Sequence, residues 1–377
     1  MSLRDPDTLN AAADELWAAF ARRENTRVPI TFASDESLWL KLTGDTYRAF
    51  YADPRVHVNA QLAGCGWYAD HVVHDQRVGP AEAGWTVSPR FWMDEPEFFG
   101  CEVMLQDDSF AWSKPLEGSK ADILQHLASV DARERVQRGT LWRLYQETRG
   151  LCEGMTFRDL PVTVASGAGG GTHGLFTIAC HVRGVETLCT DLLEAPGFAD
   201  EFLALIATKT VERIQAWHEL AGTGVTLPLP GGWGIADDSI QLLSAETYRR
   251  RVLPHHQRLY ATMTGGDRHM HLCGHATQHF PALHDDLGIR ALDGPGPFVD
   301  HGALFAQYPD LRISGQVDHT VLLLGPESAI EAMMRGLLTD TAKQPGRFSL
   351  LGYIGPETPL SHVEAMYQYG RRYGQIA

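Results

Sequence analysis

Long hydrophobic runs are missing from this chain. No stretch approaches the roughly 18 consecutive apolar residues that a membrane-spanning helix requires. Residues 1–7 also lack the apolar core of a secretory leader. These two absences predict a protein without a membrane span and favour the cytoplasm as its location.

Cysteines are few and lie far apart. The six are Cys65, Cys101, Cys152, Cys180, Cys189 and Cys273. Because none has a partner at paired spacing, a disulfide framework is not expected and the thiols should be reduced. The sequence contains neither CxxC nor HExxH, so the common zinc motifs are excluded, but a single thiolate ligand is not.

Basic residues are scarce compared with acids. The chain has 32 Lys plus Arg against 47 Asp plus Glu, which gives a formal net charge of −15. Such a charge repels nucleic-acid backbones and anionic membrane surfaces, so neither is expected as a partner. The remaining composition, 44% hydrophobic and 21% charged, is that of an ordinary globular protein. A length of 377 residues suits one large barrel domain.

Apolar periodicity predicts alternating helices and strands. An alanine-rich helix is expected from Asp7 to Phe20, and two longer ones at about 131–149 and 198–221. From residues 224–227, predicted as a strand, short apolar runs alternate with helical segments to the end of the chain, which is typical of a parallel sheet. Residues 51–120 are expected to form long insertions and strands that shape a pocket.

The most distinctive motif is a strand-like run at residues 268–274. Alternate side chains of a strand share a face, so His271 and Cys273 should point the same way, with His269 below them. Imidazole nitrogen and thiolate sulfur are ligands that suit zinc. The alternative is a packed histidine beside a buried thiol. Two ligands do not complete a site, because zinc takes three or four from the protein.

Two further features could contact a ligand. Residues 167–174 are rich in glycine but lack the lysine of a nucleotide-binding P-loop, so we interpret them as a flexible wall of the active mouth in which Gly170 and Gly171 could contact a cofactor. Trp67 and Trp92 lie in aromatic-rich segments. They could cover a flat macrocycle or close a substrate pocket, or they could pack in the core.

Several segments, taken in order, resemble those of the uroporphyrinogen decarboxylase superfamily, and within it the zinc-dependent corrinoid:thiol methyltransferases. They are the run at 268–274, Ile313-Ser314-Gly315-Gln316-Val317-Asp318, Gly346-Arg347-Phe348-Ser349-Leu350-Leu351-Gly352 and Gly355-Pro356-Glu357-Thr358-Pro359, and upstream the stretch 177–186. The resemblance covers roughly residues 160–377 well and the first part of the chain loosely. It implies an α/β fold, a single (β/α)8 TIM barrel over residues 1–377 with an N-terminal helical lead-in and long insertions.

The chain departs from the family pattern in two places. The arginine-rich stretch with which the decarboxylases grip porphyrin carboxylates is replaced by residues 27–36, which end in acids, and this disfavours haem-pathway decarboxylation. The further cysteine of the methyltransferases is absent from the turn at 352–357. His319 is a candidate third metal ligand, although a solvated loop histidine is an equal alternative. Other candidates are His173, Glu186, His275 and Asp293.

In such a barrel the working residues lie where the strands end, and this prediction places Asp35, Asp293, Asp318 and Tyr353 there as catalytic candidates. Asp35 could instead cap the next helix. The resemblance implies transfer of a methyl group from methylcobalamin on a partner corrinoid protein to a small-molecule acceptor, a thiol or a reduced pterin, with zinc bound. One alternative is a metal-independent decarboxylase or other lyase that uses Asp35 or Asp293. Another is a non-catalytic protein that binds a macrocycle through Trp67, Trp92 and Trp112. The oligomeric state stays open.

Overall fold

The computed structural model describes residues 6–80, 84–165 and 173–376. The strands are β1 Ile30–Ala33, β2 Trp85–Val87, β3 Glu102–Met104, β4 Trp112–Lys114, β5 Thr156–Phe157, β6 Leu160–Val164, β7 Trp233–Ala236, β8 Arg268–His271, β9 Ile289–Asp293, β10 Arg312–Gln316 and β11 Phe348–Tyr353. The first helices are α1 Pro6–Ala21, α2 Glu36–Thr43, α3 Tyr47–Ala52, α4 Pro54–His71, α5 Asp94–Phe98, α6 Lys120–Ala128, α7 Ala132–Arg138, α8 Thr140–Cys152 and α9 Leu175–Arg183. The later ones are α10 Val185–Glu194, α11 Pro196–Ala221, α12 Ala245–Thr247, α13 Leu253–Met263, α14 His301–Gln307, α15 His319–Leu324, α16 Glu327–Leu337 and α17 Leu360–Tyr373.

Eight strands of the described chain take part in parallel pairs, which is the number that the family resemblance implies: β1, β2, β6, β7, β8, β9, β10 and β11. Six of them form one parallel sheet in the order β1-β11-β10-β9-β8-β7. The other two, β2 and β6, pair in parallel with each other, and β5 adds an antiparallel edge to β6. A parallel bridge from His173 to Ala236 connects the segment after β6 to β7. The predicted α/β barrel fold is confirmed.

Helices cover the outside of this sheet. The lead-in helix α1 spans Pro6–Ala21, as predicted, and the 26-residue α11 buries a long apolar stripe that includes Ile206, Ile214 and Trp217. Strand residues that face the helices, such as Ile313 and Met270, are buried. Across the described ranges, no helix is both long and apolar enough to cross a membrane.

The prediction of insertions and strands for residues 51–120 is wrong for α4. Asp53 caps this 18-residue helix by accepting from Arg55 N, and Pro54 occupies its first turn. A glycine within this helix allows close packing. A Cβ at Gly64 would lie 2.0 Å from Trp39 Cδ1, so only glycine allows α2 to approach α4 this closely.

The single helix predicted at 131–149 is two helices. The backbone becomes extended at Gly139, between α7 and α8. Glu97 stabilises the new helix start, because its carboxylate accepts hydrogen bonds from Thr140 N and Thr140 Oγ1, each at 2.7 Å. The acceptor comes from a residue 43 positions earlier, which periodicity within the helix does not reveal.

The strand predicted at 224–227 is displaced: β7 is Trp233–Ala236. Its outward residues Trp233 and Ile235 are buried, whereas Gly234 and Ala236 face the barrel interior. A Cβ at Gly234 would lie 2.1 Å from His269 Cδ2. The glycine therefore provides space for a neighbouring side chain.

Candidate functional site

The carboxyl ends of β7 and β8 bring three potential metal ligands together. The two strands pair in parallel with Ala236 opposite His271, so the chains continue side by side to Asp238 and Cys273. One ligand atom from each of Asp238, His271 and Cys273 lies within 4.8 Å of the other two. We call these three residues the ligand group.

A backbone N–H of the ligand group holds its carboxylate, and the group faces solvent. Cys273 N donates to Asp238 Oδ1 at 2.7 Å, which fixes the carboxylate beside the thiol. Cys273 is exposed, and Asp238 and His271 are half-buried. Nitrogen, sulfur and carboxylate oxygen are the three ligand types that zinc takes in proteins, so the residues present fit this metal. The structure thus brings together His271 and Cys273, and adds Asp238, which the sequence analysis did not name.

Asp293 orients the imidazole of the ligand group. His271 Nδ1 lies 3.0 Å from Asp293 Oδ2, and Nε2 lies 3.9 Å from Asp238 Oδ2. A carboxylate on one ring nitrogen selects the tautomer in which the other nitrogen can bind a metal. Burial lowers the pKa of His271, but hydrogen bonds with Asp293 and Cys273 and the charges of Asp238 and Asp293 outweigh it and raise the pKa to about 10. The site therefore favours a positive charge.

His319, the predicted third ligand, lies outside the ligand group. It is exposed at the start of α15, with Nε2 3.3 Å from Gln316 Oε1 and its ring 5.5 Å from that of Tyr353. Gln316 reaches the space beside Gly294, where a Cβ would lie 3.3 Å from Gln316 Nε2 and 2.7 Å from His271 Cε1. His319 thus contacts Gln316 and is not a member of the ligand group, and its role as a metal ligand stays a prediction.

Two predicted catalytic acids serve as helix caps. Asp35 Oδ1 accepts from Ser37 N at 2.8 Å at the start of α2, the alternative role that the sequence left open. Asp318 Oδ1 accepts from Thr320 N at 2.8 Å at the start of α15. Burial raises the pKa of Tyr353, and the hydrogen bond and charge of Asp35 raise it further. Asp35 and Tyr353 are therefore in contact. They follow β1 and β11, at one edge of the six-stranded sheet, whereas β7 forms the other edge.

Of the four residues predicted to bind a cofactor, the structure describes the two tryptophans. Gly170 and Gly171 lie outside the described residues. Trp67, on α4, stacks on His71 at 5.3 Å, whereas the ring of Trp92 lies 6.1 Å from that of His173. Trp112 is exposed on β4. No ring contact between two of these three tryptophans occurs in the described parts of the chain.

Sequence reasoning missed a buried polar cluster beside the ligand group. His173 Nδ1 lies 3.1 Å from Glu95 Oε2, and Glu95 Oε1 lies 3.3 Å from the guanidinium of Arg213, which is 2% exposed. Burial lowers the pKa of His173, but the charge and hydrogen bond of Glu95 and the charge of Asp238 outweigh burial and raise it. The acidic run Asp94-Glu95-Pro96-Glu97 in α5 was the available signal.

The match to a known family covers most of the chain. The model of the family described as uroporphyrinogen decarboxylase (URO-D) matches residues 95–373, which include the whole ligand group. No curated protein matches. Among solved structures, a methyltransferase from Methanosarcina mazei is 16% identical with a TM-score of 0.62, over 94% of this chain and 97% of that one. A protein described as a vitamin-B12-independent methionine synthase from Listeria monocytogenes is 12% identical with a TM-score of 0.40, over 92% and 96%. The family match, together with the parallel barrel, shows that this chain belongs to the uroporphyrinogen decarboxylase family.

Proposed function

We propose that this protein is a zinc-dependent methyltransferase that moves a methyl group from a methylated corrinoid to a thiol or similar acceptor. The observation that carries the proposal is the ligand group at the carboxyl ends of β7 and β8, where barrel enzymes place their active sites. The fold shared with the methyltransferase from Methanosarcina mazei supports the same choice. In this proposal the chain is a cytoplasmic enzyme.

In this proposal Asp238 takes the place of the cysteine that the family resemblance implies and this chain lacks. The family resemblance implies one histidine and two cysteines as ligands, of which the second cysteine is absent from residues 352–357. Asp238 replaces a thiolate with a carboxylate of the same charge. Two anionic ligands and one neutral imidazole therefore remain to balance a divalent cation.

Each residue near the ligand group has a task that its geometry supports. Asp293 orients His271, and the N–H of Cys273 holds Asp238 in place. A zinc ion bound there supplies Lewis acidity, which keeps an acceptor thiol deprotonated and nucleophilic near neutral pH. Because Cys273 is exposed, an acceptor can reach the ligand group from solvent.

The methyl donor in this proposal is methylcobalamin on a separate corrinoid protein, and the acceptor is a small molecule. Transfer between them requires mainly alignment of donor and nucleophile. We place the donor above the barrel mouth, on the side where Trp92 and Phe298 are exposed. Aromatic surface of this kind suits contact with a macrocycle.

A metal-independent lyase is the competing function, in which Asp35 or Asp293 would stabilise a protonated intermediate. Both carboxylates have other tasks: Asp35 caps α2, and Asp293 binds His271. A non-catalytic macrocycle-binding protein is the other competitor, and it predicts binding of cobalamin without methyl transfer.

Metal content separates these functions. We expect tag-free protein to contain about one equivalent of zinc, and Cys273→Ala to lose it. Cys65→Ala, which changes a thiol on α4, is the matched control and should keep its zinc. In parallel, zinc-loaded protein is incubated with free methylcobalamin and 2-mercaptoethanol, and demethylation is followed by absorbance. A metal-free wild type, or cobalamin binding without demethylation, would reject the methyltransferase.

A further inference from the structure

A cavity of about 370 Å³ lies between two of the helices that cover the sheet, α14 and α16. The residues that lead into α14 form one wall, and the end of α16 with the turn that follows forms the other. No member of the ligand group lines this cavity. Its volume is that of a site for a small molecule. The apolar part of the lining consists of Pro297, Val299, Met333, Leu337 and Ala342.

His301 brings an unused polar atom to the cavity. Its side chain lines the cavity and is 3% exposed. Nε2 lies 3.3 Å from Pro295 O, and the ring lies 5.0 Å from that of Phe348. Among the described residues Nδ1 has no hydrogen-bond partner, yet it is not one of the fully buried atoms that lack one. Nδ1 therefore faces the open space of the cavity.

This nitrogen is an acceptor. A contact between Nε2 and a carbonyl oxygen requires the proton on Nε2, so the neutral imidazole has its lone pair on Nδ1. Burial lowers the pKa of His301, and the hydrogen bond with Pro295 and the charge of Asp300 oppose this shift without reversing it. The imidazole is thus neutral near neutral pH, and Nδ1 can accept a hydrogen bond from a ligand.

The other polar groups around the cavity are mainly acceptors as well. Asp300 contributes a carboxylate, of which Oδ1 accepts from Ala303 N at 2.9 Å. Gly336 and Leu337 end α16, and no backbone N–H in the described ranges donates to their carbonyl oxygens. The carboxyl end of a helix favours positive charge. No lysine or arginine lines the cavity, so a cation would meet no repulsion from its walls.

We propose that this cavity binds a primary alkylammonium ion, whose N–H groups donate to His301 Nδ1 and to the carboxylate of Asp300 while its alkyl chain packs against Met333 and Leu337. An ammonium group has three donors and no acceptor, which complements such a lining. An uncharged apolar ligand would leave the acceptors unpaired. The net charge of −15 attracts cations at long range. The inference is independent of the proposed methyl transfer, because it involves no residue of the ligand group.

The test uses protein labelled with ¹³C at the methionine methyl groups, with the Met333 signal assigned through Met333→Leu. This signal reports on the cavity because Met333 lines it. Three ligands with the same chain and different charges are titrated by NMR: n-butylammonium, 1-butanol and butyrate. We expect n-butylammonium to bind about 10-fold more tightly than 1-butanol, since its hydrogen bonds are charge-assisted, and butyrate to leave the signal unshifted.

Two variants separate the charge from the acceptor. Asp300→Asn keeps an oxygen that can cap α14 but removes the charge, so it should abolish the preference for n-butylammonium over 1-butanol. His301→Phe keeps a ring beside Phe348 and removes Nδ1, and it should weaken n-butylammonium about 10-fold. Asp53→Asn is the matched control, because Asp53 caps α4 by accepting from Arg55 N at 2.8 Å, and it should keep the wild-type preference.

Gly336→Leu tests where the ligand binds. Gly336 lines the cavity and a Cβ there would meet no atom within 4 Å, so a leucine can fill the space without a collision. This variant should lose binding of both n-butylammonium and 1-butanol, while thermal unfolding verifies that the fold is kept. Equal affinities of the wild type for these two ligands, a preference retained in Asp300→Asn, or undiminished binding in Gly336→Leu overturns the inference.

Discussion

His271 Nδ1 and Asp293 Oδ2 lie 3.0 Å apart across neighbouring parallel strands, β8 and β9. Because His271 and Asp293 are register partners, the contact follows directly from the pairing of these strands. It leaves Nε2 of the imidazole toward Asp238 and so defines which nitrogen can bind a metal. The geometry of the ligand group therefore depends on a carboxylate that is not itself a member.

Replacing this carboxylate should weaken metal binding without removing a ligand. We expect Asp293→Asn to lower zinc affinity about 10- to 100-fold, because the imidazole loses its anionic partner. Competition with a chromophoric chelator measures the affinity. Asp285→Asn is the matched control, because Asp285 accepts from His284 Nδ1 at 2.7 Å in another histidine–carboxylate pair. Equal zinc affinities in the two variants would contradict the orienting role of Asp293.

Asp238 should be required for full zinc occupancy. Asp238→Asn removes an anionic ligand and should lower the zinc content of purified protein, whereas Asp238→Cys restores a ligand of the same charge and should keep it. Elemental analysis measures the zinc content of both variants. Asp267→Asn, at the opposite end of β8, breaks an exposed ion pair with Arg312 and should retain zinc. Undiminished zinc in Asp238→Asn would exclude Asp238 as the third ligand.

Acid should destabilise the fold through buried neutral histidines. Burial lowers the pKa of His57 and that of His74 to about 4 in the folded protein, despite backbone hydrogen bonds of His57 and the charge of Asp75 near His74. Above pH 6.5 both states are neutral, so neither residue affects stability. As the pH falls from 6.5 to 4, the unfolded chain binds protons that the folded chain does not. Each residue should therefore cost up to about 3 kcal/mol of the free energy of unfolding.

Urea denaturation at pH 7.5 and pH 4.5 measures this loss. His57→Gln should show a smaller loss between the two pH values than wild type, whatever its absolute stability. His71→Gln, at the exposed end of the same helix, is the control and should lose as much as wild type. A pH dependence in His57→Gln that equals that of wild type would show that His57 does not contribute.

The close approach of β7 and β8 should depend on Gly234. Gly234→Ala should lower the free energy of unfolding by about 1–3 kcal/mol, because the new Cβ would collide with the ring of His269. The double variant Gly234→Ala with His269→Ala should recover part of this loss, and thermal unfolding measures both. Gly150→Ala, whose Cβ would meet no atom within 4 Å in α8, should stabilise the helix. Strictly additive effects at 234 and 269 would contradict the collision.

Some features were determined by the sequence alone. The run at 268–274 predicted that His271 and Cys273 would share a face, because the two-residue period of a strand is a local property. The alternation of strands and helices after β7, and the long α11, likewise follow from periodic burial. The lead-in helix α1 was predicted for the same reason.

Features that depend on partners distant in sequence could not be predicted in this way. Gly64 and Gly139 illustrate opposite outcomes: the first lies within a helix because Trp39 fills its empty side, and the second separates two helices because Glu97 caps the next one. In both cases the deciding contact comes from another part of the chain. Local propensity gives no information about it.

The ligand group likewise has members that local sequence determines and one that only the tertiary structure determines. The sequence determined two of its members, which lie two residues apart at the end of β8, and left the third open with His319 as the named candidate. Only the parallel register that sets Ala236 beside His271 decided that Asp238 continues next to Cys273. The physical reason is that spacing along a strand is fixed by backbone geometry, whereas the partner across a sheet is selected by the packing of the whole barrel.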